Sequence, residues 1–429
     1  MAHGERDRAV VGRALATGPS NNQISPTIAE VADEPDRRWL RVNWSDGGTG
    51  RFPYVWLRDC SQDADSYHST DIMKVRKLRM RDFDVEVTPK RVSHAGDRVE
   101  ILWPDEVRSV FDSRWLRERN HDDERCRQRR RRLYLDDVVL WDRAAIERRL
   151  HVADAAKLFG DENALSDAAL HDFLLAVCRD GLAVIKGGPA VSGLLGRLGD
   201  RIGFLHHTHF ETVFRVEVKA EGRHSNPAYA SHGEIAFHTD YSSLADCPQI
   251  QALHCLAQAP VGGETTFVDG FLVSERLKSA QPHHHQLLTS VQVEFIEEGV
   301  DKIDYKNCAR HPVIRVNAEG AATRVQWGNH MRSAFLDCPR EDVQELYRAF
   351  KSFQRCLDDE ANYVALLLEP GDVVMWANSR VLHGRNAYEL TDEGRQRTLD
   401  GCYFSWDVVK SRVRRLRDRL GHEHAQPSM

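Results

Sequence analysis

His238 and Asp240 are separated by a single residue, and a third candidate ligand, His383, lies far downstream. Two imidazoles and one carboxylate can occupy one face of an octahedral metal ion and leave the opposite positions open for small ligands, the donor set of non-heme Fe(II) oxygenases. Hydrolytic metal centres use the same H-x-D pair, and in a chain with 21 histidines the pair alone selects no chemistry.

The spacing makes a demand on the fold. Successive side chains of an extended strand point to opposite faces, so His238 and Asp240 are expected to project together while Thr239 points away. The third ligand then requires a remote strand to return. Glu234-Ile235-Ala236-Phe237 leads into the pair, and Gly371-Asp372-Val373-Val374-Met375-Trp376 is a β-prone run approaching His383.

The 429 residues accommodate a large domain and a smaller one. Residues 1–35 are polar and read as a flexible lead-in. Residues 36–118 alternate short apolar runs, such as Trp39-Leu40-Arg41-Val42, with Gly and Asp turns, and read as a small β domain. Residues 119–150 set Arg125, Arg127 and Arg129 to Arg132 among Asp122, Asp123, Glu124, Asp136 and Asp137, a solvated linker or helix face. The main domain is expected over 151–429. In it, 161–179 reads as largely helical, Leu182-Ala183-Val184-Ile185 as a buried strand, and Val313 to Val316 with Thr323 to Val325 as a hairpin. Residues 341–358 read as a helix packing through Val343, Leu346, Ala349, Phe350 and Phe353, and 408–420 as a helical tail. The chain is mostly β with helices.

Composition excludes several classes. Hydrophobic residues make up 41% and charged residues 29%, as in a soluble globular protein, and a net charge of −6 gives no general reason for nucleic-acid binding. No apolar run is long enough to span a bilayer, and the N-terminal segment lacks a signal-peptide core. Nine cysteines, with no C-x-x-C, read as free thiols of a cytoplasmic protein.

Further motifs accompany the ligand pair. They are Gly262-Gly263-Glu264-Thr265, Phe267-Val268-Asp269-Gly270-Phe271, His383-Gly384-Arg385-Asn386-Ala387-Tyr388-Glu389, and Arg395 and Arg397 before Leu399-Asp400-Gly401-Cys402-Tyr403. With Phe237-His238-Thr239-Asp240-Tyr241 and Trp406-Asp407-Val408-Val409, this order resembles the 2-oxoglutarate-dependent oxygenases of the taurine dioxygenase type. It resembles more closely the γ-butyrobetaine hydroxylase and trimethyllysine hydroxylase group. The resemblance implies a double-stranded β-helix, or jelly roll, with Fe(II) at His238, Asp240 and His383, and 2-oxoglutarate and O2 as co-substrates supported by ascorbate. It also implies a homodimer that hydroxylates a C–H bond of a small betaine-like molecule and releases succinate and CO2. By similarity Arg397 forks onto the far carboxylate of 2-oxoglutarate, as a planar guanidinium does, with Thr265 donating a hydroxyl. Arg395 is the alternative anchor.

A trimethylammonium group has no N–H to donate, so ring faces receive it through cation–π attraction. The group's cage positions fall on Phe210, Phe214, Tyr229 and Tyr403, beside Tyr241; at the first two its members usually carry Tyr and Trp. Asn226, Asn329 and His330 fall near the anionic end of the substrate. A trimethylaminophosphonate, trimethyllysine or a non-quaternary amino-acid-like substrate remains open, as does a metal-dependent hydrolase, which would need neither Thr265 nor Arg397. The triplet His283 to His285 reads as a polar loop, and His206, His207 and His209 as a pocket entrance.

Trp56-Leu57-Arg58-Asp59 resembles the start of the group's N-terminal domain, where three cysteines and a histidine bind structural zinc. Here Ser61, Asp63, Ser66 and Val107 occupy those positions, with Cys60 displaced by one. Structural zinc takes four thiolate or imidazole ligands, which Cys60 and His68 do not supply. Metal analysis of the purified chain is therefore expected to find no stoichiometric zinc in this domain; zinc held by Cys60 would overturn this.

Overall fold

The computed structural model describes residues 27–63, 66–69, 73–160, 165–217, 232–300, 303–389 and 397–421. The chain divides into two compact units, the first reaching Arg130 and the second beginning at Arg131.

Two three-stranded antiparallel sheets build the first unit, Ile28–Glu34 with Trp39–Trp44 and Thr49–Pro53, and Arg91–Ala95 with Arg98–Leu102 and Arg108–Asp112. Alternating side chains of these strands, among them Leu40, Val42, Phe52, Val99, Ile101 and Phe111, converge with Trp103 and Leu116 in one core. The strand Ile28–Glu34 corrects the expected lead-in over 1–35. Its polar composition conceals an edge strand: Glu34 faces the partner strand and accepts from Trp39 Nε1 at 2.6 Å and Arg41 Nε at 2.7 Å. Near Cys60, Ser61 Oγ lies 2.5 Å from both Asp63 Oδ2 and Ser109 Oγ, and Ser66 Oγ donates to Asp63 Oδ2 at 2.6 Å.

The second unit does not begin at 151 as expected. Trp141 and Ile146 are fully buried in it, and Trp141 Nε1 donates to Asp180 O at 2.6 Å. The charge density of 119–150 masks these anchors, so the expected linker is divided between the two units. Ten strands of this unit form two sheets: β1 (His151–Asp154), β2 (Leu182–Lys186), β3 (Val213–Glu217), β4 (Ile235–His238), β5 (Ile250–Ala257), β6 (Thr265–Asp269), β7 (Tyr363–Leu366), β8 (Val373–Trp376), β9 (Val381–Arg385) and β10 (Thr398–Phe404). The larger sheet has the order β3-β10-β5-β8-β2-β1 and the smaller β4-β9-β6-β7, antiparallel except for β1 and β2, a strand-rich double sheet consistent with the jelly roll.

Both faces of the larger sheet are covered, which explains why β2 and β8 are continuous apolar runs. Ala183, Ile185, Val373 and Met375 pack beneath helices Asp167–Asp180 and Trp406–Leu420, while Leu182, Val184, Val374 and Trp376 meet Phe267 of the smaller sheet. Ser166 caps the first of these helices by accepting from Ala169 N at 3.1 Å, and Gly181 ends it in the left-handed region at φ 74°. Helix Val343–Leu357 buries Leu346, Ala349, Phe350 and Phe353 as its spacing predicts. His283 to His285 lie on a helix, Pro282–Ser290, and not on a loop; proline starts it, and His285 is buried with Nε2 3.0 Å from Ser274 Oγ. No helix among the described residues is long and apolar enough to cross a membrane.

Asp269 ends β6 and carries four contacts: Arg380 donates through Nε at 3.0 Å and Nη2 at 2.7 Å, and the backbone N–H groups of Phe271 and Trp141 each donate at 3.1 Å. Both side chains are buried, and Arg380 stands just ahead of β9, so this pair fixes where the strand carrying His383 enters. Asp269→Ala strands the Arg380 guanidinium in the interior. Chemical denaturation is expected to show a loss of about 3–5 kcal/mol; a change within experimental error would contradict this role.

Candidate active site

His238 on β4 and His383 on β9 face one another as direct ladder partners. The structure departs from the expected extended pair in one respect: β4 ends at His238, and Asp240 lies on the turn that follows. Tyr241 takes the left-handed φ of 61° that this turn requires. Four hydrogen bonds fix the turn. Thr239 N donates to Trp327 O at 2.7 Å and Thr239 Oγ1 accepts from Trp327 N at 2.9 Å. The buried Asn378 amide accepts from Asp240 N at 2.9 Å and donates to Asp240 O at 3.1 Å, pairing with the ligand backbone as a strand would.

Ligand atoms of His238, Asp240 and His383 all lie within 4.8 Å of one another. Asp240 Oδ1 is 3.3 Å from His238 Nε2 and 3.7 Å from His383 Nε2. His238 Nδ1 donates to Ala236 O at 2.9 Å, which leaves the lone pair on Nε2, a buried nitrogen with no hydrogen-bond partner. Burial, reinforced by His238, lowers the His383 pKa to about 3, so this imidazole is neutral. Burial works against the Asp240 carboxylate, but His383, His238 and the Tyr403 hydroxyl, which donates to Oδ2 at 2.5 Å, hold it below the usual range. One imidazole held neutral by burial, a second whose buried Nε2 has no hydrogen-bond partner, and a buried anion fit a divalent metal ion.

A cationic cradle adjoins this group. Arg397, 5% exposed, donates through Nη2 to Thr265 Oγ1 and through Nε to Gly263 O, both at 3.1 Å. Gly262 and Gly263 have φ of 77° and 78°; a Cβ on Gly262 would stand 2.2 Å from Ala387 O and one on Gly263 3.2 Å from Arg397 Cδ, so this turn beside Arg397 favours glycine at both positions. Burial, then Arg385, lowers the Arg397 pKa to about 10, which leaves it charged at neutral pH. No carboxylate among the described residues pairs with it. Thr265 stands two positions from Phe267, the ladder partner of His383, a span of about 7 Å along the strand. That span suits a five-carbon dicarboxylate held at one end by the metal and at the other by Arg397. Arg395 lies outside the described residues.

Aromatic rings gather on the other side. Phe214 stacks on Tyr403 with centroids 5.2 Å apart, Phe210 lies 6.4 Å from Phe214 and 6.2 Å from Tyr241, and Tyr241 meets Tyr403 edge-on at 5.3 Å. The Tyr403 hydroxyl is committed to Asp240, so this residue is wall and ligand support together. His209 stacks near Phe210 at 4.2 Å, and His206 N donates to Tyr403 O at 2.8 Å. His330, on the short turn Asn329–Met331, has its ring 5.3 Å from that of His238, and burial lowers its pKa to about 4. Asn329 Oδ1 accepts from Arg332 Nε at 3.3 Å. Asn226 and Tyr229 lie outside the described residues. Sequence reasoning missed Asn378, for which the one available signal was a polar residue between two buried apolar strands.

The model of the "Taurine catabolism dioxygenase TauD, TfdA family" matches residues 146–403, and that of "Gamma-butyrobetaine hydroxylase-like, N-terminal" matches residues 31–117. The chain is similar to a γ-butyrobetaine dioxygenase of Pongo abelii, with 33% identity over 92% of this chain and 98% of that protein. A γ-butyrobetaine dioxygenase of Pseudomonas sp. (strain AK-1) is 29% identical over 87% and 92%, respectively. The mitochondrial trimethyllysine dioxygenase of Homo sapiens is 26% identical over 85% and 83%.

Because the Asn378 amide clamps the backbone of a metal ligand, Asn378→Ala is expected to weaken Fe(II) or Mn(II) binding about 10- to 100-fold in an anaerobic titration. Unchanged affinity in the folded variant would contradict the clamp.

Proposed function

The chain belongs to the taurine catabolism dioxygenase TauD, TfdA family and is an iron- and 2-oxoglutarate-dependent dioxygenase; on that premise we propose that it hydroxylates an unactivated C–H bond of a γ-butyrobetaine-like substrate. His238, Asp240 and His383 would hold Fe(II), and Arg397 with Thr265 the far carboxylate of 2-oxoglutarate. Iron with the bound 2-oxo acid and O2 supplies the oxidising power for C–H cleavage, with succinate and CO2 released. The protein's own work is orientation and exclusion of water. The observation that carries the reading is Arg397: a buried guanidinium with no acidic partner among the described residues, bonded to Thr265, which stands two strand positions from the ladder partner of His383.

On the substrate side, Phe210, Phe214, Tyr229, Tyr241 and Tyr403 would face the trimethylammonium group, and Asn226, Asn329 and His330 the anionic end. A γ-butyrobetaine dioxygenase is the stronger relative in identity, which favours a short betaine over trimethyllysine or a phosphonate. The reading takes the enzyme as a cytoplasmic homodimer, supported for the compartment by nine cysteines without a disulfide.

Purified protein given Fe(II), ascorbate, 2-oxoglutarate and O2 is expected to release succinate in response to γ-butyrobetaine, and less in response to trimethyllysine or a trimethylaminophosphonate. Absence of substrate-dependent succinate with all three would refute the reading. Arg397→Lys keeps the charge and loses the fork, so the 2-oxoglutarate requirement is expected to rise about 10- to 100-fold. An unchanged requirement would move the anchor to Arg395.

A further inference from the structure

Between β6 and β7 the chain makes a long antiparallel hairpin, strands Gln292–Val300 and Asp304–His311. Its inner face is anchored to the turn that carries Asp240: His311 Nε2 donates to Ser242 O at 2.9 Å, and Ser243 Oγ donates to Glu297 Oε2 at 3.0 Å. Glu297 pairs across the hairpin with Asn307, and Gly299 pairs with Tyr305, so Glu297 and Tyr305 are diagonal neighbours on one face. That face meets the aromatic wall. The Tyr305 ring lies 4.0 Å from His209 and meets Phe210 edge-on at 6.2 Å.

Glu297 is the unusual member. It is half-buried, and among the described residues Ser243 is its one hydrogen-bond partner and no lysine, arginine or histidine pairs with it. A carboxylate withdrawn from water without a cation is costly, and the cost falls when a ligand brings the opposite charge. Burial raises the Glu297 pKa, and Asp240 adds to the shift, consistent with an excess of negative charge on this side of the pocket. Ring faces attract a cation independently of any hydrogen bond.

Resting on the substrate reading above, we propose that the hairpin forms part of the substrate site, with Glu297 and the Tyr305 ring as specificity-determining groups for the cationic end. Glu297 supplies the counter-charge to the quaternary ammonium, and Tyr305 joins Phe210 as a ring face. This accounts for Phe210 and Phe214 serving where richer π faces are usual: part of the attraction is carried by a formal charge.

The test compares γ-butyrobetaine with its neutral isostere, in which carbon replaces the ammonium nitrogen, by kcat/KM from succinate release and by calorimetric binding. Glu297→Gln is expected to lower the preference for the charged compound about tenfold while leaving the isostere and the KM for 2-oxoglutarate unchanged. Tyr305→Leu is expected to lower the same preference by a smaller factor. Ser243→Ala, which removes the hydrogen bond and keeps the charge, is expected to retain the preference. An equal loss for both compounds in Glu297→Gln, or a loss of preference in Ser243→Ala matching that of Glu297→Gln, would make Glu297 a mere prop for the Asp240 turn and overturn the proposal. If the wild type turns over γ-butyrobetaine and Glu297→Gln keeps its preference, this proposal alone fails. If the wild type responds to neither compound, the substrate reading fails and takes this proposal with it.

Discussion

A buried charge must find an opposite charge, and three charged groups of the second unit differ in how far the described residues supply one. Asp240 is an anion flanked by two imidazoles, one of them held neutral by burial. Arg397 is a cation that, among the described residues, donates to two neutral oxygens, Gly263 O and Thr265 Oγ1. Glu297 is an anion with one hydroxyl. Elsewhere the fold closes such accounts internally, as Arg380 and Asp269 do. At Arg397 and Glu297 no opposite charge pairs among the described residues, an arrangement that suits an incoming carboxylate and an organic cation, while the group around Asp240 suits a divalent metal ion. Hydrogen bonds and packing hold these like and unlike charges in place.

Register does that holding. The ladder sets His238 opposite His383, Phe267 opposite His383, and Thr265 opposite Arg385. A slip of one residue would turn every one of these side chains to the other face. Apolar packing between the two sheets, Phe267 against Trp376 at 5.2 Å, makes such a slip expensive. The sheets thus convert ordinary core burial into a fixed register between the strands that carry His238 and His383 and the strand that carries Thr265, the partner of Arg397. The turn after β4 lies outside the ladder, and Asn378, Trp327 and Tyr403 replace the missing strand contacts there.

The ligand trio, the Arg397 and Thr265 pairing, and the helix at 343–357 were legible because each rests on residue type plus a short-range period. The position of Asp240 was not, because strand alternation and a left-handed turn both bring a residue two steps on to the same side, and nothing in H-x-D distinguishes them. Strand Ile28–Glu34 and the Trp141 anchor were hidden by their charged neighbours, since an edge strand and a single buried ring need few apolar residues. The commitment of the Tyr403 hydroxyl to Asp240 and the pairing of Glu297 with Ser243 depend on contacts between segments remote in sequence, which no local pattern encodes.

The central claim is that His238, Asp240 and His383 hold iron beside a 2-oxo acid anchored at Arg397. The direct measurement is anaerobic visible spectroscopy of the protein with Fe(II) on addition of 2-oxoglutarate. A charge-transfer band of the Fe(II)–2-oxo acid chelate is expected, present with the wild type and absent in Asp240→Ala. No band with the wild type, or the same band after loss of Asp240, would contradict the account.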